Sequence, residues 1–414
     1  MQSDRSSVVG SVERGRRLGV VGLFAGVGGL ELGLAGAGHE TRLLCEFDAG
    51  ARAVLERRFA GVRLHRDVRD LAPKQIPEGT DVLVAGFPCQ DLSQAGRTAG
   101  IGGARSSLVD QVFRLLRVRR VPWVLLENVP FMLHLERGRA MHHLVEELER
   151  LGYRWAYRVV DAMAFGVPQR RRRVFVLASQ QEDPAGVLFA DDAGPPEEPE
   201  WTGEEPVGFY WTEGNRGVGW VVNGVPTLKG GSGLGIPSPP AVLMPSQRVV
   251  LPCLRGAERL QGFPADWTKP AATVVGDRFR WRLVGNAVCV PAARWLGDRL
   301  ASPGSFEPDR LGGEIGVGPW PNAACGGARS RRAITISEGP KRLKVKPLQS
   351  FLVGAKDLSA RATAGFVQRA DRAQTLGKLR FPPSFLKSLR THLQRLTREG
   401  SEGRAAILAA AARA

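Results

Sequence analysis

The segment from Leu18 to Ala37 reads LGVVGLFAGVGGLELGLAGA and decides the fold of the first half of the chain. It begins with the apolar run Leu18–Phe24, which predicts a buried strand. A glycine-rich turn follows directly, and then the apolar helix Leu30–Ala37. Glycine lets a backbone turn sharply and approach a ligand closely. This order favours a nucleotide-binding α/β unit, although a tight structural turn explains the glycines equally well.

The alternation of strand and helix continues to about residue 180. Five more apolar runs are strand candidates: Thr41–Phe47, Asp81–Phe87, Trp123–Glu127, Arg154–Val160 and Val174–Ala178. Helical patterns lie between them, for example Leu108–Val118 and Arg139–Leu151. Strands that are apolar throughout and alternate with helices are typical of a mostly parallel sheet covered on both faces. We therefore predict an α/β fold whose ligands bind at the carboxyl ends of the strands.

One acidic residue, Glu46, stands at the end of the predicted strand Thr41–Phe47, and another, Asp67, stands where a further strand could end. Glu46 comes twenty positions after Gly26, which suits a carboxylate that accepts hydrogen bonds from ribose hydroxyls. Asp67 could accept from the amino group of an adenine. Either acid alone is more typical of a surface charge, but together with the glycine-rich turn they favour an adenosine-containing cofactor. The sequence shows neither a full Gly-x-Gly-x-x-Gly fingerprint nor a Gly-Lys-Ser/Thr loop, so it favours a cofactor without phosphates.

A cysteine, Cys89, follows the predicted strand Asp81–Phe87. Most free cysteines are small buried hydrophobes, but this one opens the polar stretch Asp91–Ser107, which is long enough to be a lid. Glu127 ends the next strand and would stand beside Cys89 if the two strands are neighbours. Four arginines, Arg170–Arg173, enter a further buried strand, so alternate ones should point into the site.

Six short motifs lie within residues 18–300: Phe24–Gly29, Pro88-Cys89-Gln90, Glu127-Asn128-Val129, Gln169–Arg173, Arg259–Pro264 and Gly285–Val288. They occur in the order found in DNA cytosine-5 methyltransferases, and the chain resembles the bacterial members of that family. The resemblance implies a Rossmann-like class I methyltransferase domain. It also implies S-adenosylmethionine as the cofactor, and no metal.

The resemblance implies a role for each residue of the predicted catalytic site. Cys89 would attack carbon 6 of cytosine, which makes carbon 5 nucleophilic. Glu127 would hold a proton on ring nitrogen 3. Arg173, and with it Arg171, would bind the base carbonyl and nearby phosphates. The target cytosine must leave the base stack, because a thiol cannot reach the ring within it.

The resemblance also predicts the binding residues. The cofactor pocket is assigned to Phe24, Ala25, Gly26, Gly28, Glu46, Phe47, Asp67, Val68, Pro88, Leu108, Asn286, Ala287 and Val288. DNA contacts are assigned to Gln90, Ser93, Gln94, Gln169, Arg216 and Lys229.

Three regions follow from these patterns. Residues 18–180, completed by 282–300, form the catalytic domain. Residues 181–281 form a small, irregular, partly β target-recognition domain, which begins with the acidic linker Glu182–Glu200 and is short for the family. Residues 301–414 form a basic helical extension. We hypothesise that its cations, from Lys341–Lys346 onward, complete the DNA cleft; a solubilising appendage is the alternative.

The composition bounds the class of protein. The net charge of +17 and the pI near 10.6 suit a polyanion as partner, although a GC-rich coding sequence would also enrich arginine. Residues 301–414 carry 20 Lys and Arg against eight Asp and Glu. The five cysteines form no Cys-x-x-Cys pair, which argues against a disulfide framework and a structural zinc site.

The sequence shows no apolar run of membrane-spanning length and no secretory signal. We therefore expect a cytoplasmic, nucleoid-associated monomer that acts on double-stranded DNA, with a cognate restriction endonuclease as a possible partner. Two alternatives stay open: a tRNA cytosine-5 methyltransferase on the same scaffold, and an inactive DNA-binding homologue.

Overall fold

The computed structural model describes residues 16–88, 108–213, 217–230, 237–316, 318–378 and 382–411. The strands in these ranges are β1 (Gly19–Leu23), β2 (Glu40–Cys45), β3 (Arg63–His65), β4 (Val82–Ala85), β5 (Trp123–Asn128), β6 (Arg154–Asp161), β7 (Arg172–Ser179), β8 (Val207–Phe209), β9 (Val221–Val222), β10 (Ala241–Leu243), β11 (Val249–Leu251), β12 (Leu311–Glu314), β13 (Ala323–Gly327), β14 (Ser330–Ile334) and β15 (Lys356–Asp357). The α-helices there are α1 (Gly29–Gly36), α2 (Ala49–Arg58), α3 (Leu108–Val118), α4 (Arg139–Arg150), α5 (Ala185–Leu188), α6 (Leu254–Leu260), α7 (Ala272–Val275), α8 (Asp277–Asn286), α9 (Val290–Ala301), α10 (Ala360–Thr375) and α11 (Pro383–Ala411). No helix in the described part of the chain is long and apolar enough to cross a membrane.

One half of the main sheet is parallel. Strands β3, β2, β1, β4 and β5 lie in this order and run in one direction. Every residue of β1, β4 and β5 is buried, because α1 and α9 cover one face while α3 and α4 cover the other. The α1 and α9 backbones approach closely, since a Cβ added at Gly33 would lie 2.4 Å from the Cβ of Ala293. The predicted α/β fold is confirmed.

The other half of this sheet is antiparallel, so the prediction of a mostly parallel sheet is wrong there. β7 lies between β5 and β6 and is antiparallel to both. The ten residues between β6 and β7 are too few for the crossover helix that a parallel connection needs. β13, β14 and β12 extend the sheet beyond β6, again antiparallel.

The C-terminal residues are not a helical extension, as the sequence led us to expect. Residues 311–334 supply three strands of the main sheet, and β15 joins a second sheet. Trp320, which precedes β13, packs against β6, with its ring centroid 5.8 Å from that of Trp155 and 6.1 Å from that of Tyr157. Among the described residues after 301, the α-helices that match the helical expectation are α10 and α11.

A second, antiparallel sheet has the order β15-β11-β10-β8-β9 within the described ranges. Helices α10 and α11 cover it, and the rings of Phe366 and Phe385 contact that of Phe209 in β8. Residues from the predicted recognition region and from the C-terminal region therefore share one apolar core.

The segment Glu182–Glu200, predicted to be an acidic linker, differs from that prediction because part of it packs into the fold. Helix α5 is buried. Asp191 accepts hydrogen bonds from Trp295, Arg299 and Lys341. Burial alone would raise the pKa of Asp191, but these donors lower it to about 2.

Candidate active site

A cavity of about 440 Å³ lies where β1, β2 and β4 end. Ten of the predicted cofactor residues line it: Phe24, Gly26, Glu46, Phe47, Asp67, Val68, Pro88, Leu108, Asn286 and Ala287. Ala25, Gly28 and Val288 are not among the lining residues. Segments that are far apart in the chain therefore meet around one space.

A carboxylate ties the glycine-rich turn to the end of β2. The amide of Gly26 donates to Glu46 Oε2 at 2.7 Å, and the amide of Asp48 donates to Glu46 Oε1 at 2.7 Å. Burial raises the pKa of Glu46 above its usual value, and these hydrogen bonds only partly offset that effect. The turn is sharp, since Phe24 (φ 53°) and Gly26 (φ 55°) both have left-handed backbone conformations.

Gly28 has a structural role in this turn. Its φ is 82°, and a Cβ added there would lie 2.3 Å from the Phe59 ring. Gly28 is the N-cap residue of α1 and lies against Phe59 and Leu55, so the absence of a side chain lets α1 begin close to the end of α2.

An aromatic ring and a carboxylate stand together at the cavity. The Phe47 side chain is 61% exposed, and the guanidinium carbons of Arg66 and Arg69 each lie 5.8 Å from its centroid. Arg69 also pairs with Asp67, with Nη2 2.5 Å from Oδ2. Hydrogen bonds from Arg69 lower the pKa of Asp67. Asp67 is therefore an anionic acceptor beside a flat apolar surface.

Glu127 and Arg173 form an ion pair where β5 and β7 meet. Arg173 Nε lies 3.0 Å from Glu127 Oε1, and the two side chains are only 13% and 10% exposed. Burial raises the pKa of Glu127 against the opposing effect of Arg173 and Arg171. The carboxyl group therefore holds a proton more readily than an exposed glutamate.

This carboxyl group lies beside the strand that leads to the predicted nucleophile. β4 and β5 are parallel neighbours, the condition on which their predicted proximity depended. Glu127 Oε2 is 3.5 Å from the position that a Cβ of Gly86 would take, and Gly86 and Pro88 line the cavity. Cys89 itself falls outside the described residues. So do four of the predicted DNA contacts: Gln90, Ser93, Gln94 and Arg216.

Arg171 does not lie where the sequence placed it. The residue is 1% exposed, and its Nη atoms donate to the backbone carbonyls of Leu228 at 3.3 Å, Gly285 at 3.1 Å and Ala287 at 2.6 Å. Alternation of side chains applies only within a strand, and β7 begins at Arg172. Arg171 supports the cavity wall through Ala287 and is not free to bind a nucleotide.

Gln169, predicted to contact DNA, is also buried. Its Nε2 donates to the carbonyl of Leu260 at 3.0 Å, and its Oε1 accepts from the amide of Leu228 at 2.9 Å. It also bonds the side chain of Gln261, which donates in turn to the carbonyl of Val284. The motifs Gln169–Arg173, Arg259–Pro264 and Gly285–Val288 thus pack into one hydrogen-bonded support.

Lys229, the remaining predicted DNA contact, lies at the surface of the second sheet's domain. Its Nζ is 3.8 Å from the ring centroid of Tyr210 and pairs with Glu213. Arg369 of α10 holds the same loop by donating to the carbonyl of Trp211 at 2.8 Å. The role of Lys229 in DNA binding stays a prediction.

Some cations of the basic C-terminal segment are engaged within the chain. Lys341 pairs with Asp191 at 3.2 Å, and Arg342 donates to the carbonyl of Ala193 at 2.6 Å. Lys344 and Lys346 are exposed. Only part of this segment is therefore available for a phosphate backbone.

The sequence interpretation missed eight residues that line the cavity: Val27, Cys45, Asp48, Ala51, Arg69, Gly86, Arg282 and Leu283. Two of them carried a usable signal. Asp48 directly precedes a helical pattern, which is typical of a helix N-cap. Arg282 stands four positions before Asn286, so both lie on one face of a helix.

Comparisons with known proteins place the chain among methyltransferases. Residues 18–202 match the family described as C-5 cytosine-specific DNA methylase. The chain is 45% identical over 386 residues to the Type II methyltransferase M2.BsuMI of Bacillus subtilis, which covers 89% of this chain and 97% of the relative. It is 28% identical over 322 residues to the Type II methyltransferase M.NlaX of Neisseria lactamica, with 70% and 98% covered. The solved structure of the S. pombe Dnmt2 methyltransferase shares the fold, with a TM-score of 0.51 at 17% identity over 69% of this chain and 98% of that one.

Proposed function

The chain belongs to the family of C-5 cytosine-specific DNA methylases, and we propose that it transfers a methyl group from S-adenosylmethionine to carbon 5 of a flipped-out cytosine in duplex DNA. One observation carries the proposal. Gly86 lines the cavity, and the carboxyl group of Glu127 lies 3.5 Å from where a Cβ of Gly86 would be. A methyl donor in the cavity and a base held by Glu127 would therefore meet at this point.

The residues around the cavity fit S-adenosylmethionine. The exposed Phe47 ring offers a stacking surface for adenine, and Asp67 offers an acceptor for its amino group. Each oxygen of Glu46 accepts one amide and has a further lone pair for a ribose hydroxyl. A Cβ added at Gly26 would meet nothing within 4 Å, so bare backbone faces the open space. When bound, this cofactor supplies an electrophilic methyl group.

The proposed chemistry begins with Cys89, whose role rests on its motif. Its thiolate forms a bond to carbon 6 of cytosine, and the electrons of the ring double bond make carbon 5 nucleophilic. Glu127 holds a proton on ring nitrogen 3, and the burial that raises the pKa of Glu127 favours this protonated acid. Carbon 5 gains the methyl group and loses its hydrogen as a proton to a base, after which Cys89 leaves.

Arg173 both positions Glu127 and contacts the base. Its Nε holds the carboxyl group and its Nη1 donates to the carbonyl of Arg172 at 2.7 Å, while Nη2 can donate to the base carbonyl. Arg171 contributes only by holding the backbone around Ala287. The target cytosine is extruded from the duplex, because Glu127 and the cavity lie too deep for a stacked base.

The setting of the reaction is part of the proposal. The net charge of +17 suits duplex DNA as the partner. Relatives named as Type II methyltransferases support a restriction-modification setting. The proposal adds a cognate endonuclease as the partner and a cytoplasmic, nucleoid-associated monomer as the state of the chain.

A trapping experiment tests this function. Wild-type protein and Cys89→Ser are incubated with S-adenosylmethionine and a random-sequence pool of duplex DNA that contains 5-fluorocytosine. Fluorine cannot leave as a proton would, so the cysteine stays bound to the base. We expect a denaturation-resistant adduct with wild type and with the control Cys253→Ser, and none with Cys89→Ser.

The outcomes separate the competing functions. Sequencing the trapped DNA would give the recognition site. An adduct with similarly substituted tRNA but none with DNA would replace the DNA substrate by RNA. Cofactor binding without an adduct on either nucleic acid would indicate an inactive binding protein and overturn the proposal.

A further inference from the structure

Asp48 and Arg282 meet across the opening of the cofactor cavity. Both residues line the cavity, and their side chains are 30% and 46% exposed, so they lie where it opens to solvent. Arg282 Nη2 donates to Asp48 Oδ2 at 2.5 Å. Asp48 precedes α2, whereas Arg282 belongs to α8, 234 positions later. The bond therefore joins two segments of the cavity wall that are far apart in the chain.

Both partners are held in place before any ligand binds. Asp48 Oδ1 accepts from the amide of Ala51 at 3.0 Å as the N-cap of α2, and the Asp48 amide donates to Glu46. The stem of Arg282 packs under Gly230, where an added Cβ would lie 3.2 Å from Arg282 Cγ. An ion pair between restrained side chains loses less conformational entropy than one between free side chains.

We propose that the Asp48–Arg282 bridge closes the cavity opening and retains the bound cofactor, with Arg282 as a positioning residue. The inference rests on the proposed function, because the retained ligand is S-adenosylmethionine or its product S-adenosylhomocysteine. In this proposal a ligand leaves the cavity past the bridge, so removing the bridge speeds dissociation. The pair is partly exposed, and we therefore expect a change of about two- to fivefold.

Stopped-flow dissociation of S-adenosylhomocysteine measures this effect without turnover. The variants are Arg282→Gln, Asp48→Asn and the double variant, and asparagine keeps the N-cap while losing the charge. Each single variant should dissociate the ligand about two- to fivefold faster than wild type. The double variant should be no faster than the singles, because each one already breaks the same bridge. Arg282→Lys should restore part of the slow rate.

One control variant separates loss of the bridge from a general loss of positive charge on α8. Arg278→Gln removes an exposed charge one turn earlier on α8, outside the cavity lining, and should leave the rate unchanged. High salt should bring the wild-type rate toward that of the variants.

Two results would overturn the bridge. Equal dissociation rates for wild type and all variants would refute the proposed role of the Asp48–Arg282 bridge while leaving the proposed methyl transfer intact. Wild-type protein that fails to bind S-adenosylhomocysteine would remove the bridge and the proposed function together.

Discussion

Arg171→Met removes a buried guanidinium but keeps a side chain of similar length, and we expect a large loss of stability. Arg171 donates to the carbonyls of Leu228, Gly285 and Ala287, at distances between 2.6 and 3.3 Å. A hydrogen bond from a charged group contributes about 1.5–3 kcal/mol, and a buried acceptor left without a donor costs about 1–3 kcal/mol. Ala287 keeps a weaker donor in Gln261, at 3.4 Å. The free energy of unfolding should therefore fall by about 3–5 kcal/mol.

Urea unfolding at equilibrium measures this loss, with the slope of the transition compared between variants. Arg173→Met is the matched control, two positions later in the chain. It should lose about 1 kcal/mol or less, because its partner Glu127 can take up a proton, yet it should lose most methyl transfer. An Arg171→Met protein that unfolds at the wild-type urea concentration but is inactive would refute this reasoning. That result would instead support the substrate-binding role that the sequence predicted for Arg171.

Three further predictions follow from the described contacts. Glu127→Gln cannot supply the proton to ring nitrogen 3, so kcat should fall about 10²- to 10⁴-fold. Calorimetry should find an unchanged affinity for S-adenosylhomocysteine. A wild-type kcat would contradict the role assigned to Glu127. Gly28→Ala places a methyl group 2.3 Å from the Phe59 ring at a φ of 82° and should cost about 2–3 kcal/mol of stability. The thermal midpoint should fall, and a midpoint equal to that of wild type would contradict this prediction. Burial lowers the pKa of His392, whose Nδ1 accepts from the amide of Val249. As the pH falls, the unfolded chain therefore takes up the proton before the folded chain does. The stability that the neutral imidazole contributes is complete above pH 6.5 and is lost as the pH falls below that value. His392→Gln should flatten the decline of unfolding free energy between about pH 7 and 5, and parallel curves for variant and wild type would speak against it.

The parallel half of the sheet and most of the cavity could be predicted because their causes are local. An apolar run forms a buried strand, and the residue after it stands at the sheet edge. This places Glu46, directly after β2, and Glu127, near the end of β5, at one edge from the sequence alone. The short strand β3 before Asp67 has no such apolar run. The glycine-rich turn lies at the same edge, and its conformation depends on the local backbone freedom of its own residues.

The parts that could not be predicted depend on contacts between distant segments. The acceptors of Arg171 lie up to 116 positions away in the chain, and no local sequence pattern predicts them. The partner of Asp48 at the cavity opening is similarly remote. Strands β12–β14 are short and partly polar, since they pair at the sheet's margin rather than in its centre. Periodicity alone therefore cannot assign them to the main sheet.

The pairing of β13 with β6 has a consequence for synthesis of the protein on the ribosome. Arg158 pairs with Ala323, which is translated 165 positions later. At about 5–20 residues per second, the outer edge of β6 waits roughly 8–33 seconds for its neighbour. During this time its backbone donors and acceptors are open to pairing with other nascent chains. A gene truncated before residue 311 would make that exposure permanent, and its product should aggregate whatever its affinity for DNA.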